Sequence, residues 1–119
     1  MTGDPRDREK PAAQYRQGDV LLVATRLLDR EYDEVERVGD RLVLARGEAT
    51  GHAHAVESPQ ARLLRRALNL YLVVDGPEPA VLRHEEHAPI RVPPGAYEVR
   101  QQREFTVDRG AAFWRRVRD

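Results

Sequence analysis

The chain has 119 residues and a formal net charge of zero, with 40% hydrophobic and 34% charged residues. That length supports one modest core, and the balanced charge removes any whole-molecule attraction toward nucleic acid or an anionic membrane. There is no cysteine, so disulfides, thiolate metal sites and cysteine nucleophiles are excluded and any metal must be held by nitrogen and oxygen.

Residues 1–13 carry dense charge with Gly3, Pro5 and Pro11, and read as a flexible lead. They lack the apolar core of a signal segment, and no apolar run approaches the roughly 18 residues that span a bilayer. The expectation is a cytoplasmic protein with no membrane association, and a single β-barrel domain over 14–119. Gln17-Gly18-Asp19 is a turn opening Val20–Ala24, a short apolar run that predicts a buried strand. Glu31–Arg37 is acid-rich and predicts a polar hairpin arm anchored by Val35 and Val38. After the Gly39-Asp40 turn, Arg41–Arg46 predicts a second strand.

Gly47-Glu48-Ala49-Thr50-Gly51-His52-Ala53-His54-Ala55-Val56-Glu57 follows. Here alternation predicts a strand with His52 and His54 on one face and alanines on the other, ended by Ser58-Pro59. Ala61–Leu68 fits either one or two helical turns or a strand. Asn69–Val74 predicts a strand. Asp75–Pro79 is a break, after which Ala80–His84 is expected to pair with Tyr71–Val74 as a hairpin. Ile90–Val92 alternates, Pro93-Pro94-Gly95 turns, and Ala96–Val107 predicts one long strand with a bulge or cavity-lining polar groups at Gln101 and Arg103. Ala111–Asp119, with Phe113 and Trp114 among arginines, predicts a last strand or a short terminal helix. The sum is an all-β chain with little helix: about seven to nine short strands in a small barrel or sandwich.

All four histidines fall in two short segments, His52-Ala53-His54 and His84-Glu85-Glu86-His87. Imidazole is the commonest protein metal ligand and carboxylates are its usual partners. A His-x-His pair on one strand face can share an ion whose remaining ligands come from elsewhere. On a regular strand His84 and His87 would face opposite ways, so one of them ligates unless the chain bends. Three nitrogens, an oxygen and an open position would suit Zn, Fe(II), Mn or Ni. The quartet is not a zincin helix motif, because its histidines are spaced i, i+3 rather than i, i+4.

The segment from Gly47 through Gly51-His52-Ala53-His54 to Glu57, followed by Pro93-Pro94-Gly95, resembles the cupin pattern. Cupins are small jelly-roll barrels whose first motif places a glycine, His-x-His and a glutamate around a metal. The resemblance implies His52 and His54 as ligands, Glu57 as a third, and a fourth from His84 or His87. The His54–Glu57 spacing is shorter than the cupin pattern, and no histidine follows the Pro-Pro-Gly turn.

An open metal position can polarise a carbonyl or activate water or dioxygen. In that reading Glu85 or Glu86 serves as general base, and Tyr97, Gln101 and Arg103 orient a small polar molecule. The expected function is metal-dependent chemistry or sensing on such a molecule. The alternative is a non-catalytic accessory or regulatory module with structural histidines. The C-terminal arginines with Phe113 and Trp114 could contact nucleic acid by charge and stacking, although zero net charge argues against it; they could equally form a homodimer contact.

Overall fold

The computed structural model describes residues 13–47, 51–108 and 111–116, with side chains described as far as residue 102. Residues 1–12 of the expected lead, Glu48, Thr50, the Arg103 side chain and the aromatic and arginine side chains of the C-terminus therefore lie outside the described residues.

There is no helix among the described residues, and so none long and apolar enough to cross a membrane. The described residues form twelve strands: β1 (Gln14–Gln17), β2 (Val20–Thr25), β3 (Asp33–Glu34), β4 (Leu42–Arg46), β5 (Ala53–Val56), β6 (Ala61–Arg66), β7 (Asn69–Val74), β8 (Ala80–Arg83), β9 (Ile90–Val92), β10 (Gly95–Gln101), β11 (Arg103–Asp108) and β12 (Ala111–Arg116). Ten of them make two antiparallel sheets, ordered β1-β2-β10-β7-β6-β3 and β4-β5-β8-β9, while β11 and β12 form a two-stranded sheet. The two sheets end in edge strands and do not close into the expected barrel. Instead they share one core. The larger sheet supplies Val20, Leu22, Leu63, Leu72, Val74 and Tyr97; the smaller supplies Leu42, Leu44, Val56, Leu82 and Val92. Each such fully buried aliphatic side chain contributes about 2 kcal/mol of transfer free energy.

Local pattern explains most of this. In β2, between β1 and β10, residues of both parities are buried, Val20 and Leu22 on one face and Val23 on the other, and a strand covered on both faces reads as a continuous apolar run. In β6, Ala61 and Leu63 point inward while Arg62 points out; Arg62 Nε donates to Asp75 Oδ2 at 2.9 Å. Ala61–Leu68 is thus a strand and its turn, not helix.

Several expectations are corrected. β7 and β8 are not a hairpin: β7 lies between β6 and β10, and β8 between β5 and β9 in the other sheet. The true hairpin is β6–β7, closed by the two residues Ala67-Leu68 between the paired Arg66 and Asn69. Asp75–Pro79 then carries the chain from one sheet to the other. Its prolines Pro77 and Pro79 have no N–H to give a ladder. The acid-rich arm is reduced to β3, an edge strand on β6. Val35 packs on the core, but Val38 is 54% exposed. The long strand expected over Ala96–Val107 breaks at Gln102, where β10 stays in the larger sheet and β11 pairs with β12. Ala111–Arg116 is strand.

Candidate metal centre

Three pieces of backbone meet at one end of the two sheets: the β1–β2 turn, the start of β5, and the connection from β8 to β9. Gly18 makes the first turn with φ 57°, a conformation that costs glycine little. The turn leaves Gln17 and Asp19 buried, at 3% and 0% exposure. Gly51, with φ 84°, delivers the chain into β5, and the Gly47 N–H closes that loop on the His52 carbonyl at 2.9 Å. A register shift in β4 between Val43 and Ala45 lies opposite Ala55 and His54. Such an irregularity re-aims a strand locally.

His52 precedes β5 instead of lying in it, and is half-buried. His54 is inside β5 and 0% exposed. After β8 the chain bends through Glu85–His87, so the strand parity that would separate His84 from His87 does not apply. All four rings come together. The His84 ring centroid is 4.3 Å from that of His54, 4.8 Å from His87 and 5.7 Å from His52. His87 stacks 5.9 Å from His54. His52, His84 and Glu85 each offer a ligand atom, and the three atoms lie within 4.8 Å of one another.

The hydrogen bonds fix much of the ring chemistry. Gln17 Nε2 donates to the Leu82 carbonyl at 3.0 Å and the Ala88 carbonyl at 2.9 Å. This side chain therefore joins the edge of the larger sheet to the smaller one. Gln17 Oε1 then faces His54 Nδ1 at 2.9 Å. His54 Nε2 lies 3.2 Å from Asp19 Oδ1, and both side chains are fully buried. Asp19 Oδ2 accepts from Gln101 Nε2 at 2.9 Å, and the Asp19 carbonyl accepts from the Gln102 N–H at 2.8 Å. On the outer side, the Glu86 N–H donates to His84 Nδ1 at 3.0 Å, so the neutral ring carries its proton on Nε2. A metal taken by this ring must replace either that amide at Nδ1 or the proton at Nε2.

The expected general bases sit at the rim. Glu85 Oε1 accepts the Ala53 N–H at 2.9 Å. That bond, with the Glu85 N–H itself, holds the carboxyl below its ordinary value of 4.5. Glu86 Oε1 is 2.9 Å from His52 Nδ1 and more than half exposed. Glu57 is exposed and faces Arg83, with Oε1 4.0 Å from Nε. Of the residues expected to orient a small molecule, Gln101 joins the buried network through Asp19. Tyr97 is in the core and donates its hydroxyl to the Pro93 carbonyl at 2.6 Å; burial pushes its phenol pKa up. A cavity of about 280 Å³, bordered by Arg41, Glu57, Arg83, His84 and Glu85, lies over the alanine face of β5.

Gln17 and Asp19 are the site residues that sequence reasoning missed. Their one available signal is an amide and an acid bracketing a glycine at the mouth of a fully apolar strand. No curated protein and no solved structure matches the chain. Residues 16–102 match a family profile, a span that holds Gln17, Asp19, Gln101 and all four histidines, and the chain belongs to that family, described as a domain of unknown function, DUF8820.

Proposed function

We propose that this chain is a metal-binding β protein whose imidazole cluster holds one divalent transition metal for chemistry or sensing on a small polar molecule. The observation that carries the reading is the meeting of all four histidines, from two segments distant in sequence, around His84. Packing four imidazoles together has no apolar benefit that leucine would not supply better, whereas nitrogen donors at this density suit Zn, Fe(II), Mn or Ni. His52, His84 and Glu85 make a mixed nitrogen and oxygen donor group. The two-sheet architecture with His-x-His leading into one strand is in keeping with the cupin-like resemblance. The nearby cavity, bordered by Arg41, Arg83, Glu57 and Glu85, suits a small polar ligand.

A second reading, an accessory module with structural histidines, is favoured by the enclosure of His54, which is held between Gln17 and Asp19. Metal analysis separates the two. Tag-free protein is measured for metal content, stripped with chelator, and titrated with Zn, Mn, Ni, Co and anaerobic Fe(II), beside His84→Ala. A near-stoichiometric metal that is lost in a still-folded His84→Ala variant supports the metal centre. Wild-type protein that neither carries nor takes up any of these ions overturns it and leaves the structural module.

A further inference from the structure

We infer that Asp19 is a ligand of the same ion, bound through Oδ1 beside His54 Nε2, with Gln17 and Gln101 as its positioning residues. This rests on the metal reading and deepens it.

The inference begins with Gln17. Both hydrogens of its amide are directed at carbonyl oxygens, Leu82 and Ala88. That fixes which end of the amide is nitrogen, so the atom facing His54 is Oε1. A carbonyl oxygen only accepts. His54 Nδ1 must therefore carry a proton, and in the neutral ring Nε2 presents its lone pair. What Nε2 faces, 3.2 Å away, is Asp19 Oδ1, which as a carboxylate oxygen is also an acceptor. Both residues are wholly buried. Two acceptors turned toward each other at this distance repel unless a donor or a cation stands with them. That partner is a proton, carried by this imidazole or by a neighbouring group of the cluster, or a metal ion shared by the two atoms.

Three features favour the metal. First, ligand bonds of roughly 2.0–2.2 Å at near-tetrahedral angles put neighbouring donor atoms about 3.3–3.6 Å apart, and the separation of 3.2 Å is already close to that. Second, the atoms behind the pair are arranged as outer partners of metal ligands. The distal nitrogen of His54 donates to an oxygen that cannot rotate away, and the distal oxygen of Asp19 is tied to Gln101 Nε2. Such contacts fix ring orientation and leave one donor atom of each ligand turned inward. Third, the pair adjoins the remaining imidazoles: the rings of His84 and His87 lie 4.3 and 5.9 Å from that of His54. The donor set then draws on three segments of the chain, and it includes a buried carboxylate as well as the exposed Glu85.

Chelator-treated full-length protein is titrated with Co(II), followed by its visible absorption, for wild type, Asp19→Asn and Asp75→Asn. Asp75 pairs with Arg62 on the surface and serves as the control. Loss of Asp19 as a ligand weakens Co(II) binding by more than about 100-fold, beyond the usual effect of removing an outer hydrogen-bond partner, while Asp75→Asn binds as wild type. In parallel, a crystal structure of the Co(II)-loaded wild type locates the ion by anomalous scattering, which decides the question even if Asp19→Asn does not fold. An ion roughly 2.0–2.2 Å from Asp19 Oδ1 supports the inference. Unchanged affinity in a folded Asp19→Asn variant, or an ion bonded to histidines but remote from Asp19, overturns it and leaves the metal reading standing. A wild type that binds no Co(II), Zn, Mn, Ni or Fe(II) overturns both, and leaves the buried pair a structural, proton-mediated contact.

Discussion

Two groups of side chains flank the same imidazole cluster, and they differ in nearly every physical respect. On the inner side are Gln17, Asp19 and His54, all buried and each hydrogen-bonded to a named neighbour. On the outer side are His52, Glu85 and Glu86, half-buried or exposed, each held by one or two contacts to the adjoining loop. Water can replace any contact that is lost on the outer side. It cannot easily do so on the inner side, where an orphaned polar group bears its full desolvation cost. The inner group therefore couples the cluster to the stability of the fold, and the outer group couples it to solvent and to whatever enters the adjacent cavity.

The widest separation between the two sides is expected from the two histidines of the His-x-His segment. In metal-free protein, His54→Ala removes one partner of a wholly buried pair and leaves Asp19 facing a gap. The loss should be roughly 3–5 kcal/mol. His52→Ala breaks a partly exposed contact with Glu86, for which less than about 1 kcal/mol is expected. Urea unfolding at neutral pH with chelator present measures both. Equal losses would remove the distinction between inner and outer groups.

Gln17→Leu sharpens the comparison from the other direction. The volume is nearly kept while two donated hydrogen bonds and the acceptor for His54 Nδ1 are lost. About 2 kcal/mol is expected, and the effect should be felt in both sheets, because Gln17 on β1 bonds to β8 and to the β8–β9 connection. Hydrogen exchange reads this directly. Faster exchange at β1 alone would mean that Gln17 is a local cap; faster exchange at β1, β8 and β9 together would mean that it joins the sheets.

The outer side was legible in the sequence, and of the inner side only His54 was. Histidine is scarce in this chain, so its concentration in two segments singles them out without any knowledge of the fold. The bend that lets both His84 and His87 reach His54 has Pro89 close behind it; strand parity without a bend would have admitted only one of them. Asp19 carries no comparable mark. Gln-Gly-Asp before an apolar strand is an ordinary turn, and such turns are normally solvated. This one is buried because β1 is an edge strand whose Gln17 end bonds across to β8 and the β8–β9 connection, and that is a tertiary fact. The same holds for the sheets. Alternation and apolar runs located β2, β4, β7 and β9, since side-chain period is a local property. Pairing is not local: Ala67-Leu68 has none of the glycine or asparagine that marks a hairpin turn, yet it closes one, while the more turn-like Asp75–Pro79 leads from sheet to sheet.

The smallest effect tests the outer side alone. Glu85 accepts the Ala53 N–H, and its carboxyl is held below its ordinary value by that bond first and by its own N–H second. The folded chain thus binds this proton less tightly than the unfolded chain. It follows that the carboxylate's contribution to stability is complete above pH 4.5 and is lost as the pH falls through the lower, folded value. Glu85→Gln keeps an oxygen that can accept from Ala53 but removes the charge. The variant should be slightly less stable than wild type at pH 7, and the gap should close as the pH is lowered to 3 in metal-free buffer. Urea midpoints across that range measure it. A gap that stayed constant with pH would mean that the Ala53 N–H is indifferent to the charge of its acceptor, and that Glu85 is oriented by the bend itself; in that case its carboxylate would stand ready for an ion or a ligand with no structural duty to give up.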